Sequence, residues 1–336
     1  MLIPAKKWTK GNPPKRILAI RLQAMGDLVI TFPYLQCLRN SSPSSIKLDL
    51  LTLKENESIP GSIDLFDKIY SIRGYRNLKK QIVFTFLLLP KILLRRYDVV
   101  LDLQNNLISR MVRKATFPQA WSEFDKFSPL AAGERTRLTI EAVGLGQNFP
   151  VSGFLLKNDF NIKALLKKNG WNGVAGIVIL NPAGAFETRN WPLKNYIDFA
   201  KLWMSLFPDT RFLVLGIDAI AKKADYFKKE LGDKLINLVN KTTPAEAFAI
   251  IQSVKFVLTE DSGLMHMAWV SGIPTLAIFG STHNRSRPLG KHTLLLDSSD
   301  LICGNCMLKF CKYGDTHCLT RYSSKIVFEK AISLLP

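Results

Sequence analysis

Short apolar runs recur along the whole chain, each followed by a loop and then by a stretch with helical spacing. Residues 17–22 are apolar at every position but Arg21, the pattern of a strand buried on both faces of a parallel sheet. They lead into Gln23-Ala24-Met25-Gly26-Asp27, after which Leu28, Val29, Phe32, Leu35 and Leu38 recur at helical spacing. Residues 47–51 and 98–103 predict further strands, as do 177–180, 212–215, 256–259 and 275–279 in the second half. Amphipathic helices are expected between them, at 193–206 and 245–251 among others. Alternating strands and helices predict an α/β protein with parallel sheets.

A polar, glycine-rich interval from about Gly144 to Gly173, with Gly153, Asn158 and Asn169-Gly170, splits the pattern into two doubly wound halves. The expected division is 1–155, then 174–320, then a C-terminal helix within 321–336 that packs back on the first domain. Ligands of open parallel sheets sit outside the carboxyl ends of the strands. The loops after Leu22, Leu180, Leu215, Thr259 and Phe279 are therefore where chemistry is expected.

Composition narrows the class. At 336 residues, 47% hydrophobic and 22% charged, the chain carries enough apolar surface to offset its ordering entropy, which excludes disorder. No apolar run approaches the roughly 18–20 residues of a membrane span. Residues 1–12 lack the apolar core and cleavage site of a secretory leader, so a cytoplasmic protein is expected. Lys and Arg number 46 against 27 Asp and Glu, a net charge of +19 that calls for an anionic partner or simply a solvated surface. The excess is uneven: 17 basic against 6 acidic residues up to Arg96, but 6 against 6 from 97 to 150.

One segment departs from the pattern. Residues 82–90 are apolar on nearly every face of any helix they could form, and Lys79, Lys80, Lys91, Arg95 and Arg96 bracket them. The segment is too short to span a bilayer, and Pro90 is expected to interrupt it. Two readings stand: a buried core helix with solvated ends, or an interfacial segment whose flanking cations meet anionic head groups.

Three loops carry candidate chemistry. The turn at 23–27 has one glycine, Gly26, and so lacks the G-x-G-x-x-G cluster of a dinucleotide site. What it offers is Asp27 at the start of a helix, either as a cap or as a general base. After 256–259 comes Glu260-Asp261-Ser262-Gly263, opening a helix whose N-terminus is a ready anion site, with His266 one turn in as a packed histidine or a ligand contact. After 177–180 comes Asn181-Pro182-Ala183-Gly184-Ala185, then Arg189 and Trp191-Pro192. Arg189 is either a surface cation or the group that neutralises a departing diphosphate.

Together these residues resemble glycosyltransferase family 9, the bacterial heptosyltransferases, over nearly the family's whole length. The resemblance rests on residues 16–31 (RILAIRLQAMGDLVIT), 97–104 (YDVVLDLQ), 181–184 (NPAG), 189–192 (RNWP), 261–266 (DSGLMH) and 279–282 (FGST), in that order. It implies a GT-B fold, two Rossmann-like domains facing a cleft, with the acceptor on the first and the nucleotide sugar on the second. It further implies inverting transfer of a heptose from ADP-heptose to the inner core of lipopolysaccharide, at the inner face of the inner membrane, with no cofactor required. In that scheme Asp27 matches the catalytic carboxylate, with Met25, Gly26 and Thr282 in loops that meet phosphate or acceptor. Gly184, Ala185, Arg189, Asp261, Ser262, Gly263 and His266 match donor-binding positions, and Asp218 is a further candidate for ribose or adenine. The chain departs from the pattern at Glu260, where Asn or Thr is usual, placing an extra carboxylate beside the diphosphate unless it turns away. Alternatives are a family member using another nucleotide sugar or acceptor, and a basic nucleic-acid-binding protein. The latter shares the charge but none of the zinc-finger, helix-turn-helix or RNA-recognition signatures.

Four of the five cysteines cluster as Cys303, Cys306, Cys311 and Cys318, spaced C-x2-C-x4-C-x6-C, with His317 able to replace one. In a reducing compartment this predicts either a zinc or iron tetrathiolate or four packed thiols, which elemental analysis of chelator-free protein separates. The cluster also resembles one near the C-terminus of the heptosyltransferase II branch. Cys37, alone on its helix, is expected in the core.

Overall fold

A computed structural model describes residues 3–145, 156–157 and 160–335. Gly153 and Asn158, on which the interdomain interval was partly read, lie outside the described residues. The chain divides into two compact units, 1–157 and 158–336, each built on its own sheet.

The first unit contains β1 (Ala5–Lys6), β2 (Arg16–Ile20), β3 (Lys47–Leu53), β4 (Lys68–Ile72), β5 (Val99–Asp102) and β6 (Ala120–Glu123). They form one six-stranded sheet in the order β1-β6-β5-β2-β3-β4. All pair in parallel except β1, which runs antiparallel to β6 and closes that edge. The order reverses at β2, which lies between β3 and β5 with Ile17 opposite Leu48 on one side and Val99 on the other. Its residues 17–20 are fully buried, as the apolar run requires.

The second unit contains β7 (Ile177–Asn181), β8 (Arg211–Gly216), β9 (Leu235–Val239), β10 (Phe256–Glu260), β11 (Thr275–Ile278) and β12 (Thr293–Leu296). Their order is β12-β11-β10-β7-β8-β9, wholly parallel, with the switch at β7 between β10 and β8. Phe199, Trp203 and Phe256 pack as one aromatic group on its face, with ring centroids 5.0–6.4 Å apart. Two doubly wound parallel α/β halves are what the alternating pattern predicts.

The helix Ser324–Ile332 belongs to the second unit, where Val327 and Ala331 are buried in the core and the helix packs on Leu193–Leu206. One expectation is corrected: Pro90 does not interrupt its segment, because the helix Leu78–Leu93 runs through it. Pro90 sits on the exposed side, where the carbonyl that its missing N–H leaves behind can meet water.

Among the described residues no helix is long and apolar enough to cross a membrane.

Candidate functional site

In the first unit the loop after β2 is fixed from both sides. Gln104 Oε1 accepts the N–H groups of Leu22 and Gln23, at 2.9 and 3.0 Å, and Asn56 Nδ2 donates to the Leu22 carbonyl at 2.9 Å. The following helix, Met25–Asn40, carries Asp27 in its first turn, where its carboxylate accepts the Ala24 N–H at 3.2 Å. The capping expectation is therefore met, and the carboxylate does more besides. Arg21 reaches it with Nη2 at 2.8 Å, while the side chains are 7% and 40% exposed respectively. Arg21 also donates to the Leu103 carbonyl and lies over the Phe124 ring, 5.0 Å from its centroid. The charge that breaks the apolar run of residues 17–22 thus serves to hold Asp27, the acidic residue of the turn.

In the second unit the corresponding loops meet around Arg189 and Asp261. Arg189 Nη1 pairs with Asp261 Oδ2 at 3.0 Å, and Thr282 Oγ1 donates to the same oxygen at 3.1 Å. Arg189 also lies over Phe186 at 4.7 Å, and Met307 Sδ is 3.5 Å from its Nη2. Ser262 caps the helix Gly263–Val270, accepting the Met265 N–H. The N–H groups of Gly263 and Leu264 stand in the first turn, where helix geometry gives them no intrahelical acceptor. Asn181, buried at the end of β7, donates to both Thr259 Oγ1 and Ser262 Oγ, at 2.8 and 2.7 Å, tying the two loops together. His266 is buried on this helix against Trp269, ring centroids 6.2 Å apart.

Glu260 is turned away from this edge. It is fully buried, and its two oxygens accept the N–H groups of Gly184 and Trp191 at 2.6 and 2.7 Å. Burial pushes its carboxyl up to about 7, against the pull of Lys223 and of those N–H donors. Lys223 Nζ in turn donates to the Pro182 carbonyl at 2.6 Å and to Asn190 Oδ1. The expected repulsion of a diphosphate gives way to a clamp on the loop that presents Arg189. That loop leaves no room at two glycines. A Cβ on Gly184 would lie 2.3 Å from the Arg189 carbonyl oxygen, and one on Gly280 would lie 2.1 Å from that of Thr188.

The structure therefore brings Gly184, Arg189, Asp261, Ser262, Gly263 and Thr282 into one connected loop set. Ala185 is exposed beside Gly184. Asp218 starts a short 3-10 turn after β8, exposed and one strand away from β7. Sequence reasoning missed Arg21, Gln104, Asn56, Asn181 and Lys223 as partners. Arg21 left a signal as a charge inside an apolar run, and Gln104 and Asn181 stand within the motifs that carry the resemblance.

The four clustered cysteines stand as separate thiols in the structure. Among the described residues no three or more His, Cys, Asp or Glu side chains are arranged to hold a metal ion. The thiols of Cys303, Cys306, Cys311 and Cys318 are unbridged, and Cys306 is exposed. Cys311 is drawn instead into its own loop, where the Tyr313 N–H and then those of Thr316, Gly314 and Asp315 lower its thiol. Burial, with the other three cysteines nearby, pushes Cys318 up to about 11. Cys37 is half-buried on the helix Met25–Asn40.

Comparison with known proteins identifies the family and the fold. The profile of glycosyltransferase family 9 (heptosyltransferase) matches residues 87–317. Lipooligosaccharide heptosyltransferase 2 of Campylobacter jejuni is 30% identical over 189 residues, 54% of this chain and 57% of that protein. The chain thus spans little more than half the length of that curated relative. Among solved structures, a family 9 glycosyltransferase from Veillonella parvula superimposes with TM-score 0.79 at 17% identity, covering 95% of this chain and 97% of that one. The ADP-heptose lipopolysaccharide heptosyltransferase II of E. coli gives TM-score 0.73 at 17% identity, covering 95% and 98%. The folds therefore agree, and the chain belongs to glycosyltransferase family 9, the heptosyltransferase family.

Proposed function

We propose that this protein transfers a heptose from ADP-heptose to the inner core of lipopolysaccharide, with inversion and with Asp27 as general base. The observation that carries this is the loop set around Arg189 in a chain of this family: a guanidinium beside a helix N-terminus, both able to receive a diphosphate. The names of the Campylobacter jejuni and E. coli relatives support the donor and acceptor, and favour the heptosyltransferase II branch.

In this scheme the acceptor hydroxyl gives its proton to the Asp27 carboxylate as its oxygen attacks the anomeric carbon. The bond from that carbon to the diphosphate oxygen breaks in the same displacement, which inverts the configuration. Charge developing on the departing ADP is met by Arg189 and by the N–H groups of Gly263 and Leu264. Thr282 and Asp261 hold Arg189 in place, while Glu260 and Lys223 hold the loop that carries it. Ser262 and Gly184 shape the phosphate contacts, His266 and Asp218 face the sugar and nucleoside, and no cofactor takes part.

The test is a screen of ADP-, GDP- and UDP-sugars against heptose-terminated core acceptors, with product linkage determined. Transfer from ADP-heptose with inverted anomeric configuration is expected. A product that retains the donor's configuration, or turnover confined to another nucleotide, would exclude this assignment.

A further inference from the structure

The helix Leu78–Leu93 is built with its polarity reversed. Its inward side buries Gln81 and Thr85 together with Ile92, while Ile82, Phe84 and Leu88 pack partly against the core. Gln81 donates to the Tyr75 carbonyl, and Thr85 Oγ1 donates to the Gln81 carbonyl at 2.7 Å, so both buried polar groups are satisfied within the fold. The outward side carries Val83, Phe86 and Leu87, exposed by 57%, 57% and 67%, and beyond the last turn Leu94, exposed by 82%. Positions 83, 86, 87, 90 and 94 follow helical spacing, so these groups form a single stripe with Pro90.

A water-facing helix gains nothing from this arrangement, since burying the apolar groups and exposing the polar ones would stabilise the fold. Cations sit at both ends of the stripe: exposed Lys79 and Lys80 at the start, exposed Lys91 and Arg96 at the finish. Arg95 does not belong with them. Its guanidinium pairs with fully buried Asp49 at 3.1 Å, which also accepts the Tyr97 hydroxyl at 2.6 Å. The neighbouring helix Leu107–Ala115 packs alongside and adds exposed Leu107, Arg110 and Lys114.

We infer that this stripe is a docking surface for an anionic phospholipid bilayer, the apolar side chains entering the acyl boundary while the flanking lysines meet head-group phosphates. Charge complementarity selects this occupant: an apolar centre with exposed Lys79, Lys80, Lys91 and Arg96 at its ends suits a negatively charged leaflet. A helix of 16 residues lying in the interface needs no spanning length. The surface stands apart from the transfer chemistry, because docking requires neither donor nor acceptor.

The test is co-sedimentation of the full chain with vesicles of phosphatidylglycerol and phosphatidylethanolamine, compared with vesicles of phosphatidylcholine, alongside turnover of a water-soluble acceptor. Binding to the anionic vesicles at low salt is expected, and little to the neutral ones. Replacing Lys79, Lys80 and Lys91 by Gln weakens it by on the order of fivefold for each lysine. Phe86→Ser with Leu87→Gln weakens it at least about tenfold, without changing the melting temperature, since both side chains already face water. Soluble-acceptor turnover stays at the wild-type level in both variants. Wild-type protein that ignores anionic vesicles, or an F86S/L87Q variant that binds them as well as wild type, overturns the inference. So does a dimer in solution that the same variant dissociates, which would assign the stripe to a second copy of the chain. Turnover absent in wild type while vesicle binding behaves as expected would instead count against the transfer reaction alone.

Discussion

Each unit ends its central strand in an ion pair, and the two pairs are built in opposite senses. In the first, a buried arginine anchored in the sheet holds a carboxylate that is 40% exposed; in the second, Arg189 and Asp261 are nearly equally sheltered, at 12% and 15%. Arg21 spends its donors on Leu103 and Asp27 and presents only the acid. Arg189 shares its acid with Thr282 and lies against Phe186, so its charge is positioned yet already partly answered. The difference fits two tasks. A base must be accessible to a proton and fixed in direction, whereas a phosphate ligand must not be so exposed that any anion satisfies it.

The strongest way to break this contrast is Asp27→Ala. Loss of a positioned base predicts a fall in kcat of about 10²–10⁴, with nucleotide affinity by calorimetry unchanged; a fully active variant would remove Asp27 from the chemistry. Arg189→Ala is expected next, a loss of about 10²–10³ in kcat/KM that, unlike the first, comes with weakened binding of ADP. If ADP affinity survives that change, the second pair is structural and the contrast collapses. Arg21→Met sharpens it: the carboxylate stays but loses its anchor, so kcat should fall by roughly 10–100-fold while donor KM holds, with about 1–3 kcal/mol of stability lost in denaturant melts. Arg21→Lys should recover part of the rate, which a merely structural role would not produce.

The smallest effect concerns pH. Glu260 is held near 7 rather than its usual 4.5, so between those values the native protein keeps a proton that the unfolded chain has released. Stability should therefore decline as pH rises across that window. Melting temperature measured from pH 5 to 8 should show this slope, and Glu260→Gln should flatten it; an unchanged slope would place the titration elsewhere.

Strands buried on both faces were readable because each contains a continuous apolar stretch, as at β2, β7 and the first three residues of β10. Others left weaker traces: β6 reads Ala-Trp-Ser-Glu over four residues, and β12 is half-exposed along its length at the sheet's edge. The helix Leu78–Leu93 was ambiguous for a different reason. A segment apolar on every face has no periodicity to tell inside from outside, and here two polar residues, Gln81 and Thr85, decide it by being buried. Asp27 and Arg189 were visible because each follows a strand at a turn. The direction of Glu260 was not, since only folding brings the N–H groups of Gly184 and Trp191 to its two oxygens, from 76 and 69 residues away.

The backbone at Thr188 and Arg189 runs between two residues that have no side chain, with 2.1 and 2.3 Å separating its carbonyls from where a methyl would stand. Genetically, this makes the arginine larger than one codon. Alleles that put even alanine at 184 or 280 must push that backbone aside, so in a loss-of-function screen they should be indistinguishable from alleles that delete the guanidinium itself.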